Sequence, residues 1–339
     1  MKLSIIIPCY NCEKTIGRTL DSILANNFPK NEYEVIICND KSTDNFLDVV
    51  RNYENKMNIV YCETTRDFHC PGNTRQAALS YIKGDYFTFI DNDDMFESDA
   101  FEYVFLYLSK NPDTYTLCTN FREYIYEEDK YIRDFVHDET DTWLHGKFFN
   151  TAKVLGEYKC HFKEDMFTHE DVYFNSWNLI HLIDEGLNYV YLPIFTYRWI
   201  FNKDSITRAH YFNEKHSYIE TYMSDYLHGT SDPRFEMLEK SENPDTQLWC
   251  LDQIMMALLH AYFYCQASLW KNGELLNSCI NSIKEFKVRI NEEIGLTDEG
   301  IINYIYSKPS GYNDIRQHSI EGTNLFVEVQ SFQDFIFNL

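Results

Sequence analysis

Short apolar runs alternate with amphipathic segments over the first hundred residues, and this alternation restricts the fold more than any other feature of the chain. The apolar runs cover residues 3–9, 33–39, 57–64 and 85–90. The segments between them carry apolar residues at helical spacing. Strands and helices in regular alternation are typical of βαβ units, so the sequence predicts an α/β fold with a mainly parallel sheet.

The middle of the chain has a less uniform pattern. Residues 114–136 alternate between apolar and polar side chains, which predicts antiparallel strands. Residues 171–183 are predicted to be a helix. Residues 189–192 are predicted to form a strand that ends at Pro193, and residues 197–207 are predicted to be an irregular loop.

The composition changes at about residue 211, where long helical patterns begin. They are clearest at residues 248–270 and 275–290. We therefore predict two domains, an α/β domain over residues 1–210 and a mainly helical domain over residues 211–339.

Charge and hydropathy exclude several classes of partner. The 339 residues include 53 acids and 30 lysines and arginines, giving a formal net charge of −23. Such acidity opposes binding to nucleic acid and to anionic membranes. No stretch approaches about 18 uncharged apolar residues, so we predict no transmembrane segment. The ten cysteines are expected to be reduced, buried thiols, and the chain is predicted to be cytoplasmic.

A cluster of acids follows the fourth predicted strand, in the run GDYFTFIDNDD. Asp91 and Asp93 stand just beyond the strand, with Asn92 between them. The carboxyl ends of strands in open α/β sheets border the crevice where ligands bind. Carboxylate oxygens suit a hard divalent cation such as Mn²⁺ or Mg²⁺, so this turn is the candidate metal site. The alternative is a solvated acidic turn that caps a helix.

Polar residues also follow the first two strands and open a helix. The first strand ends in Pro8, Tyr10 and Asn11, where the tyrosine ring can lie near a nucleotide base. Asp40 follows the second strand, where it can accept a hydrogen bond from the imide N–H of uracil. Arg75, near the start of a helix, can meet the nucleotide or its diphosphate. Taken singly, these residues are also compatible with a packing aromatic, a helix cap and a surface charge.

The runs SIIIPCYN, VIICND, NTRQAAL and GDYFTFIDNDD together resemble the inverting family 2 glycosyltransferases, over about residues 1–210. The resemblance implies a GT-A fold, a Rossmann-like fold with a mainly parallel sheet. It also implies metal-dependent transfer of a hexosyl or N-acetylhexosaminyl group from a UDP-sugar to a hydroxyl of a glycan or cell-surface polymer. One departure is Gln76-Ala77-Ala78, which follows Arg75 where the family commonly has Asn-x-Gly.

The resemblance also implies roles for the residues already named. Asp40 recognises uracil and Arg75 contacts the nucleotide. Asp91, with Asn92, serves the ribose or diphosphate. Asp93 holds the metal, for which Asp91 is a further candidate ligand.

An inverting transfer needs a base that deprotonates the acceptor hydroxyl. His169-Glu170-Asp171 opens a predicted helix and resembles the family's Glu-Asp motif, in which the Asp is the usual base. Asp171 is therefore our candidate base, and Glu170 is the second candidate or an orienting group. A helix N-terminus favours carboxylates for structural reasons alone.

Later residues have weaker assignments. Arg198 resembles a residue of the loop that closes over the donor, where it neutralises diphosphate charge. His210 is a further candidate metal ligand, and an exposed histidine at a domain boundary is equally compatible with the pattern. Trp143, His145 and Lys147 match a segment that lies near a sugar in the family, although aromatic packing explains them better.

Other functions are compatible with parts of the sequence. A nucleotidyltransferase also uses metal-binding acids at a strand end, but this chain lacks the Gly-rich basic loop after its first strand. A dehydrogenase is opposed by the lack of a GxGxxG motif after Cys9. A degenerate scaffold subunit of a glycan assembly complex remains the non-enzymatic alternative. The helical domain can serve as a core, a homo-oligomer interface or an acceptor-binding module.

Overall fold

The computed structural model describes residues 1–66, 70–136, 143–202, 216–272, 277–307 and 329–339. The chain divides into two compact units, Met1–Arg208 and Ala209–Leu339. The first unit contains β1 Leu3–Cys9, α1 Ile16–Ala25, β2 Tyr33–Asn39, α2 Phe46–Arg51, β3 Ile59–Glu63, α3 Pro71–Leu79, β4 Tyr86–Phe89, β5 Met95–Phe96, α4 Ala100–Lys110, β6 Thr116–Ile125, β7 Lys130–Phe135, β8 Lys147–Asn150, a π-helical segment Ala152–Glu157, α5 Glu170–Asp184 and β9 Val190–Ile200.

One nine-stranded sheet organises the first unit, in the order β3-β2-β1-β4-β8-β6-β9-β5, with β7 paired to β6. β1 pairs in parallel with β2 and β4, and β2 pairs in parallel with β3, so these four strands end at one edge. β8 lies antiparallel between β4 and β6, and β9 runs parallel to β6. The predicted α/β fold is confirmed, and β1 to β4 form the parallel part predicted for the first hundred residues. The whole sheet is mixed, because four of its eight strand pairings are parallel and four are antiparallel.

Alternation along β1 explains how this sheet buries its residues. Leu3, Ile5 and Ile7 point to one face, where they share a hydrophobic core with Ile16 and Leu20 of α1. Helical spacing on α1 and strand spacing on β1 therefore bring two apolar surfaces together.

The prediction that a strand ends at Pro193 is wrong, because β9 continues to Ile200. The pairing of β9 with β6 slips between Leu192 and Phe195. Proline has no N–H for a strand ladder, and a bulge leaves its extra residues unpaired, so Pro193 is accommodated inside the strand. The predicted loop is likewise wrong for residues 197–200, and its part beyond residue 202 lies outside the described residues.

The antiparallel strands predicted over residues 114–136 are confirmed by β6 and β7, which pair from Phe121 with Phe135 to Ile125 with Lys130. β8 was not predicted. Its four residues complete the sheet between β4 and β6, and Lys147, Phe148 and Phe149 are buried there.

The second unit is helical, as predicted. Its buried core includes Ile254, Leu258, Tyr262, Ile283 and Ile336. The elements are α6 His216–Lys240, α7 Pro244–Asn272, α8 Asn277–Arg289, a π-helical segment Ile290–Ile294, α9 Asp298–Tyr306 and α10 Val329–Asn338.

The described residues also test the predictions on membrane spans and cysteines. None of their helices combines the length and the apolar character needed to cross a bilayer. The nine cysteines whose side chains are described are all buried.

A buried acid joins the starts of three strands. Glu34, on β2, is 1% exposed. Its carboxylate accepts hydrogen bonds from Ser4 Oγ at 2.6 Å, Lys2 Nζ at 3.0 Å and the Lys83 amide at 2.8 Å. Burial raises the pKa of Glu34, but these three donors outweigh burial and lower it below its ordinary value of 4.5.

We expect Glu34→Gln to lower the free energy of unfolding at pH 7 by about 1–3 kcal/mol, because it removes a buried charge from three donors. A folded-state pKa below the unfolded one gives stability that is present above about pH 4.5 and is lost as the pH falls through the folded pKa. The difference between wild type and variant should therefore shrink in acid. Urea unfolding at pH 7 and at about pH 4 checks this.

Glu54→Gln, at an exposed glutamate, is the matched control and should change stability by less than about 0.5 kcal/mol. An effect of Glu34→Gln that is small at pH 7, or that grows in acid, would contradict the role given to Glu34.

Candidate active site

The ends of the first three strands meet at Asp40. This residue is 3% exposed. Its amide donates to the Cys9 carbonyl at 2.8 Å, and Thr64 Oγ1 donates to its Oδ1 at 2.9 Å. Parallel strands end at one edge of a sheet, so Asp40 is held between the last residue of β1 and the residue that follows β3.

The exit from β1 is fixed by a strained residue. Asn11 has a φ of 47°, in the left-handed region that asparagine tolerates better than most residues. Its amide donates to Ser42 Oγ at 3.0 Å, and its Oδ1 accepts from the Thr43 amide at 2.8 Å. The loops after β1 and β2 are thereby joined, with Tyr10 54% exposed beside them.

Side chains and backbone hold the acidic turn after β4 from both sides. Asn92 Nδ2 donates to the Pro8 carbonyl at 2.8 Å. Arg18, on α1, donates to the Asp93 carbonyl at 2.5 Å. The hydrogen bond between Asn92 and Pro8 therefore holds the acidic turn against the end of β1, independently of any ligand.

Asp94 anchors the turn to β9. It is 1% exposed, and its Oδ2 accepts from the Tyr197 hydroxyl at 2.5 Å while its Oδ1 accepts from the Ile200 amide at 2.7 Å. Because both oxygens are engaged within the fold, Asp94 has less capacity left for a ligand than Asp91.

Arg75 joins three segments that are distant in the sequence. Its guanidinium pairs with Asp91 Oδ1 at 2.6 Å and also with Glu170 Oε1. The Arg75 side chain is only 8% exposed, and that of Glu170 is 9% exposed. One buried cation thus brings the turn after β4 to the N-terminus of α5.

The start of α5 presents two carboxylates. His169 precedes the helix with a φ of 60°, and Glu170 and Asp171 occupy its first turn. Glu170 is paired with Arg75, whereas Asp171 Oδ1 accepts from the amide of Val172 at 2.8 Å. The helix dipole favours negative charge at this end.

The pKa values of Asp91 and Asp93 are shifted in opposite directions. Burial raises the pKa of Asp91, but the Arg75 guanidinium and the His145 imidazole outweigh it and lower this pKa below its usual range. Burial raises the pKa of Asp93, and the negative charge of Asp91 adds to the effect. Paired acids with divergent pKa values are typical of active sites.

The two acids of α5 both have raised pKa values. Burial raises the pKa of Glu170 to about 8, and the shared Arg75 offsets this only in part. Burial also raises the pKa of Asp171, against the pull of the same guanidinium. A raised pKa makes a carboxylate a stronger base as long as it stays ionised.

His145 lies close to Asp91 and Asp94, and all three residues are of types that can bind a metal ion. His145 Nε2 lies 3.9 Å from Asp91 Oδ2 and 4.0 Å from Asp94 Oδ2. Among the described residues, Asp91, Asp94 and His145 form a group in which the possible ligand atoms all lie within 4.8 Å of one another. His145 Nδ1 is buried and has no hydrogen-bond partner among the residues described.

These donors fit a divalent cation. Carboxylate and imidazole are both ligands of first-row divalent metals, and carboxylate suits Mn²⁺ and Mg²⁺. Asp93, the residue predicted from sequence to bind metal, is not one of the three grouped side chains, although it belongs to the same turn. His210 lies outside the described residues.

Arg198 lies apart from the acidic turn. Its guanidinium pairs with Glu97 at 2.5 Å and lies over the ring of Tyr124 at 5.2 Å. Neighbouring residues of a strand point to opposite faces, so Tyr197 reaches Asp94 and Arg198 does not. Its assignment to the donor diphosphate stays a prediction.

Residues 4–168 match the model of the family described as glycosyl transferase family 2. The chain carries a family 2 glycosyltransferase domain. The resemblance to family 2 glycosyltransferases is therefore confirmed over these residues, which are about half of the chain.

Curated relatives of the glycosyltransferase domain have named activities. A poly(ribitol-phosphate) beta-glucosyltransferase of Bacillus spizizenii is 40% identical over 118 residues, which are 34% of this chain and 19% of that protein. A GalNAc(5)-diNAcBac-PP-undecaprenol beta-1,3-glucosyltransferase of Campylobacter jejuni is 26% identical over 298 residues, covering 86% of this chain and 90% of the relative. The match to the first relative thus spans less than a fifth of its length.

A solved structure supports the fold. The crystal structure of Staphylococcus aureus TarS 1-349 in complex with UDP-GlcNAc matches with a TM-score of 0.54 and 19% identity, covering 76% of this chain and 81% of that one. The glycosyltransferase domain therefore has the GT-A fold predicted from its sequence.

Asp94, His145 and Tyr197 were not assigned to the site of the glycosyltransferase domain from sequence. Asp94 adjoins the predicted metal acids, so its nearness was expected but its two anchoring bonds were not. His145 was interpreted as aromatic packing, and it does lie 4.5 Å from the ring of Tyr197. Tyr197 lies in the run that resembles the loop closing over the donor, but its contact with Asp94 has no local sequence pattern, because it depends on the pairing of β9.

We expect Arg75→Met to lower the free energy of unfolding by about 1–3 kcal/mol, because it leaves the buried carboxyl group of Glu170 and the half-buried one of Asp91 without their shared donor. Urea unfolding at neutral pH measures this loss. Arg51→Met is the control, since Arg51 makes an exposed pair with Asp48 and should contribute less than about 1 kcal/mol. Equal effects of the two changes would contradict the bridging role of Arg75.

Proposed function

We propose that this chain is a metal-dependent inverting glycosyltransferase that moves a sugar from a UDP-sugar to a hydroxyl of a glycan or cell-surface polymer. The observation that carries the proposal is the ion pairing of Arg75 with both Asp91 and Glu170. It joins the turn proposed to hold the donor phosphates to the residue next to the proposed base. The donor phosphates and the acceptor hydroxyl can therefore lie close to each other.

Asp40 and Tyr10 are the proposed contacts for uracil. Asp40 is fixed by Thr64 through one carboxylate oxygen, which leaves its other oxygen for the imide N–H of the base. Tyr10 is exposed enough to lie against the ring of a base. Asn11 holds the two loops together and so supports both contacts.

A divalent cation is the proposed cofactor. Five carboxylates, those of Asp91, Asp93, Asp94, Glu170 and Asp171, share this region with Arg75 and Arg18 as the neighbouring arginines. We propose Asp91 and Asp93 as its protein ligands, with His145 as a further candidate. When bound, Mn²⁺ or Mg²⁺ stabilises the negative charge that develops on a departing diphosphate.

Asp171 is the proposed base. It takes the proton of the acceptor hydroxyl while that oxygen forms a bond to the anomeric carbon of the donor, and the bond from this carbon to the diphosphate breaks on the opposite side. The sugar is transferred with inversion, and UDP leaves. Glu170 is less suited to this role because its carboxylate is paired with Arg75.

The names of the relatives support a polymeric or carrier-linked acceptor, a poly(ribitol phosphate) in one case and an undecaprenyl-linked glycan in the other. For this chain we propose an acceptor of the same broad class. Arg198 lies outside the acidic turn, so we propose that it reaches the donor diphosphate only after a rearrangement. We also propose a reaction in the cytoplasm, and the burial of the described cysteines agrees with thiols that serve as small apolar side chains.

We expect metal-dependent release of UDP when the chain is incubated with Mn²⁺ and a panel of UDP- and GDP-sugars. One UDP-sugar should be hydrolysed slowly, and EDTA or Asp93→Ala should abolish this release. Nucleotide release is measured in a coupled assay. No turnover and no nucleotide binding with any donor would contradict the proposal and favour the scaffold alternative.

We expect Asp171→Asn to lower transfer by about 10²–10⁴-fold while UDP binding is retained, because the amide cannot accept the proton. Transfer rates and UDP affinity by calorimetry check this. Asp165→Asn, at an exposed residue of the preceding segment, should leave both unchanged. A scaffold protein would lose nothing measurable in either variant.

A further inference from the structure

The segment that leads to the proposed base has little regular structure of its own. Residues 159–169 contain no strand or helix, and they run directly into the first turn of α5 at Glu170 and Asp171. A segment without a strand ladder takes its position from the elements that pack against it. The position of Asp171 therefore depends on what supports residues 159–169.

Besides the packing of the Phe162 ring against aromatic rings of β4 and α5, the support comes from α3 and the residue before it. Gln76 Oε1 accepts a hydrogen bond from the Phe162 amide at 2.8 Å. Cys70 Sγ, just before α3, donates to the Glu164 carbonyl at 2.9 Å. Both contacts go to the backbone of the segment, so they fix its path and not only its side chains.

A glycine on α3 permits the closest contact. A Cβ atom added to Gly72 would lie 2.4 Å from the Lys163 carbonyl oxygen, 3.2 Å from the Met166 carbonyl oxygen and 3.4 Å from Glu170 Cβ. The first distance is far too short for any real contact, and the atom it involves is backbone. With a side chain at position 72, the segment and the start of α5 would have to move away from α3.

We propose that Gly72 and Gln76 are positioning residues that set the place of Asp171 through residues 159–169. The two lie four residues apart and so share one face of α3, between them contacting Phe162, Lys163 and Met166. This inference rests on the proposed function, because it concerns the base of that reaction. The proposal also assigns a structural role to Gln76, which stands where the family commonly has Asn.

Small displacements of a base have large kinetic effects. A misplacement of about 1 Å can cost about 10²-fold in rate, even when it originates away from the reacting atoms. The nucleotide contacts proposed for Asp40 and Tyr10 lie on the loops after β1 and β2, which the contacts of Gly72 with residues 163–170 do not involve. A shift of the segment should therefore lower turnover far more than UDP binding, which it can reach only through the pair of Arg75 with Glu170.

The test is Gly72→Ala in the full chain, with Gly17→Ala as the matched control. Both place an alanine in a helix, and a Cβ at Gly17 meets only ordinary contacts, the nearest being Val49 Cγ1 at 3.5 Å. We expect Gly72→Ala to lower kcat by about 10–100-fold, with the KM for the donor and the Kd for UDP within about twofold of wild type. Gly17→Ala should match wild type in all three.

A second pair of variants keeps the test decisive if Gly72→Ala does not fold. Gln76→Ala removes the acceptor for the Phe162 amide, whereas Gln76→Glu keeps a carboxylate oxygen in its place. We expect Gln76→Ala to lower kcat and to speed amide hydrogen exchange in peptides covering residues 160–172. Gln76→Glu should restore both towards wild type.

The outcomes separate this inference from the proposed function. A wild type without turnover would contradict the proposed function itself. An active wild type with unchanged kcat in Gly72→Ala and Gln76→Ala would overturn the positioning role alone. Equal losses of kcat, UDP affinity and melting temperature would also overturn it, because they would indicate a general loss of folded protein. A loss confined to kcat, with faster exchange in residues 160–172, would support it.

Discussion

The buried guanidinium of Arg75 is the interaction on which the candidate site depends. The sheet brings the ends of β1, β2 and β4 together by its own pairing, and α5 packs on it through Phe174. Arg75 then joins the first turn of α5 to the turn after β4, by pairing with Asp91 on one side and Glu170 on the other. The pairing also leaves carboxyl groups of the turn after β4 beside the site, and carboxylate oxygens are ligands that suit a hard divalent metal ion.

The acids of the turn after β4 divide into different tasks. Asp94 turns inward and holds β9 through Tyr197 and Ile200, while Asp91 faces Arg75 and His145. A turn that is fixed by one acid can present its neighbours without losing its shape. The sequence DNDD therefore combines a structural carboxylate with others that remain available to a ligand.

Much of this arrangement could be predicted from the sequence, because parallel strands necessarily end at one edge. Asp40 and Asp91 were placed at this edge from local patterns alone, and Arg75 was expected nearby. The surroundings of His145 and Tyr197 could not be predicted, since they depend on pairing among β6, β8 and β9. Such pairing is long-range, and Pro193 gave a false local indication of a strand end.

The bulge at Pro193 fixes more than the course of a strand. Between Thr119 and Phe121, β6 advances by two residues while β9 advances by five, from Leu192 to Tyr197. The three additional residues are an odd number, so they exchange the two faces of β9 beyond the bulge. A change of one residue in the length of this stretch would need a compensating slip in the pairing, since without it Arg198 would turn towards Asp94 and Tyr197 away from it. The length of this segment is thus itself a determinant of the site, independent of the side chains that it carries.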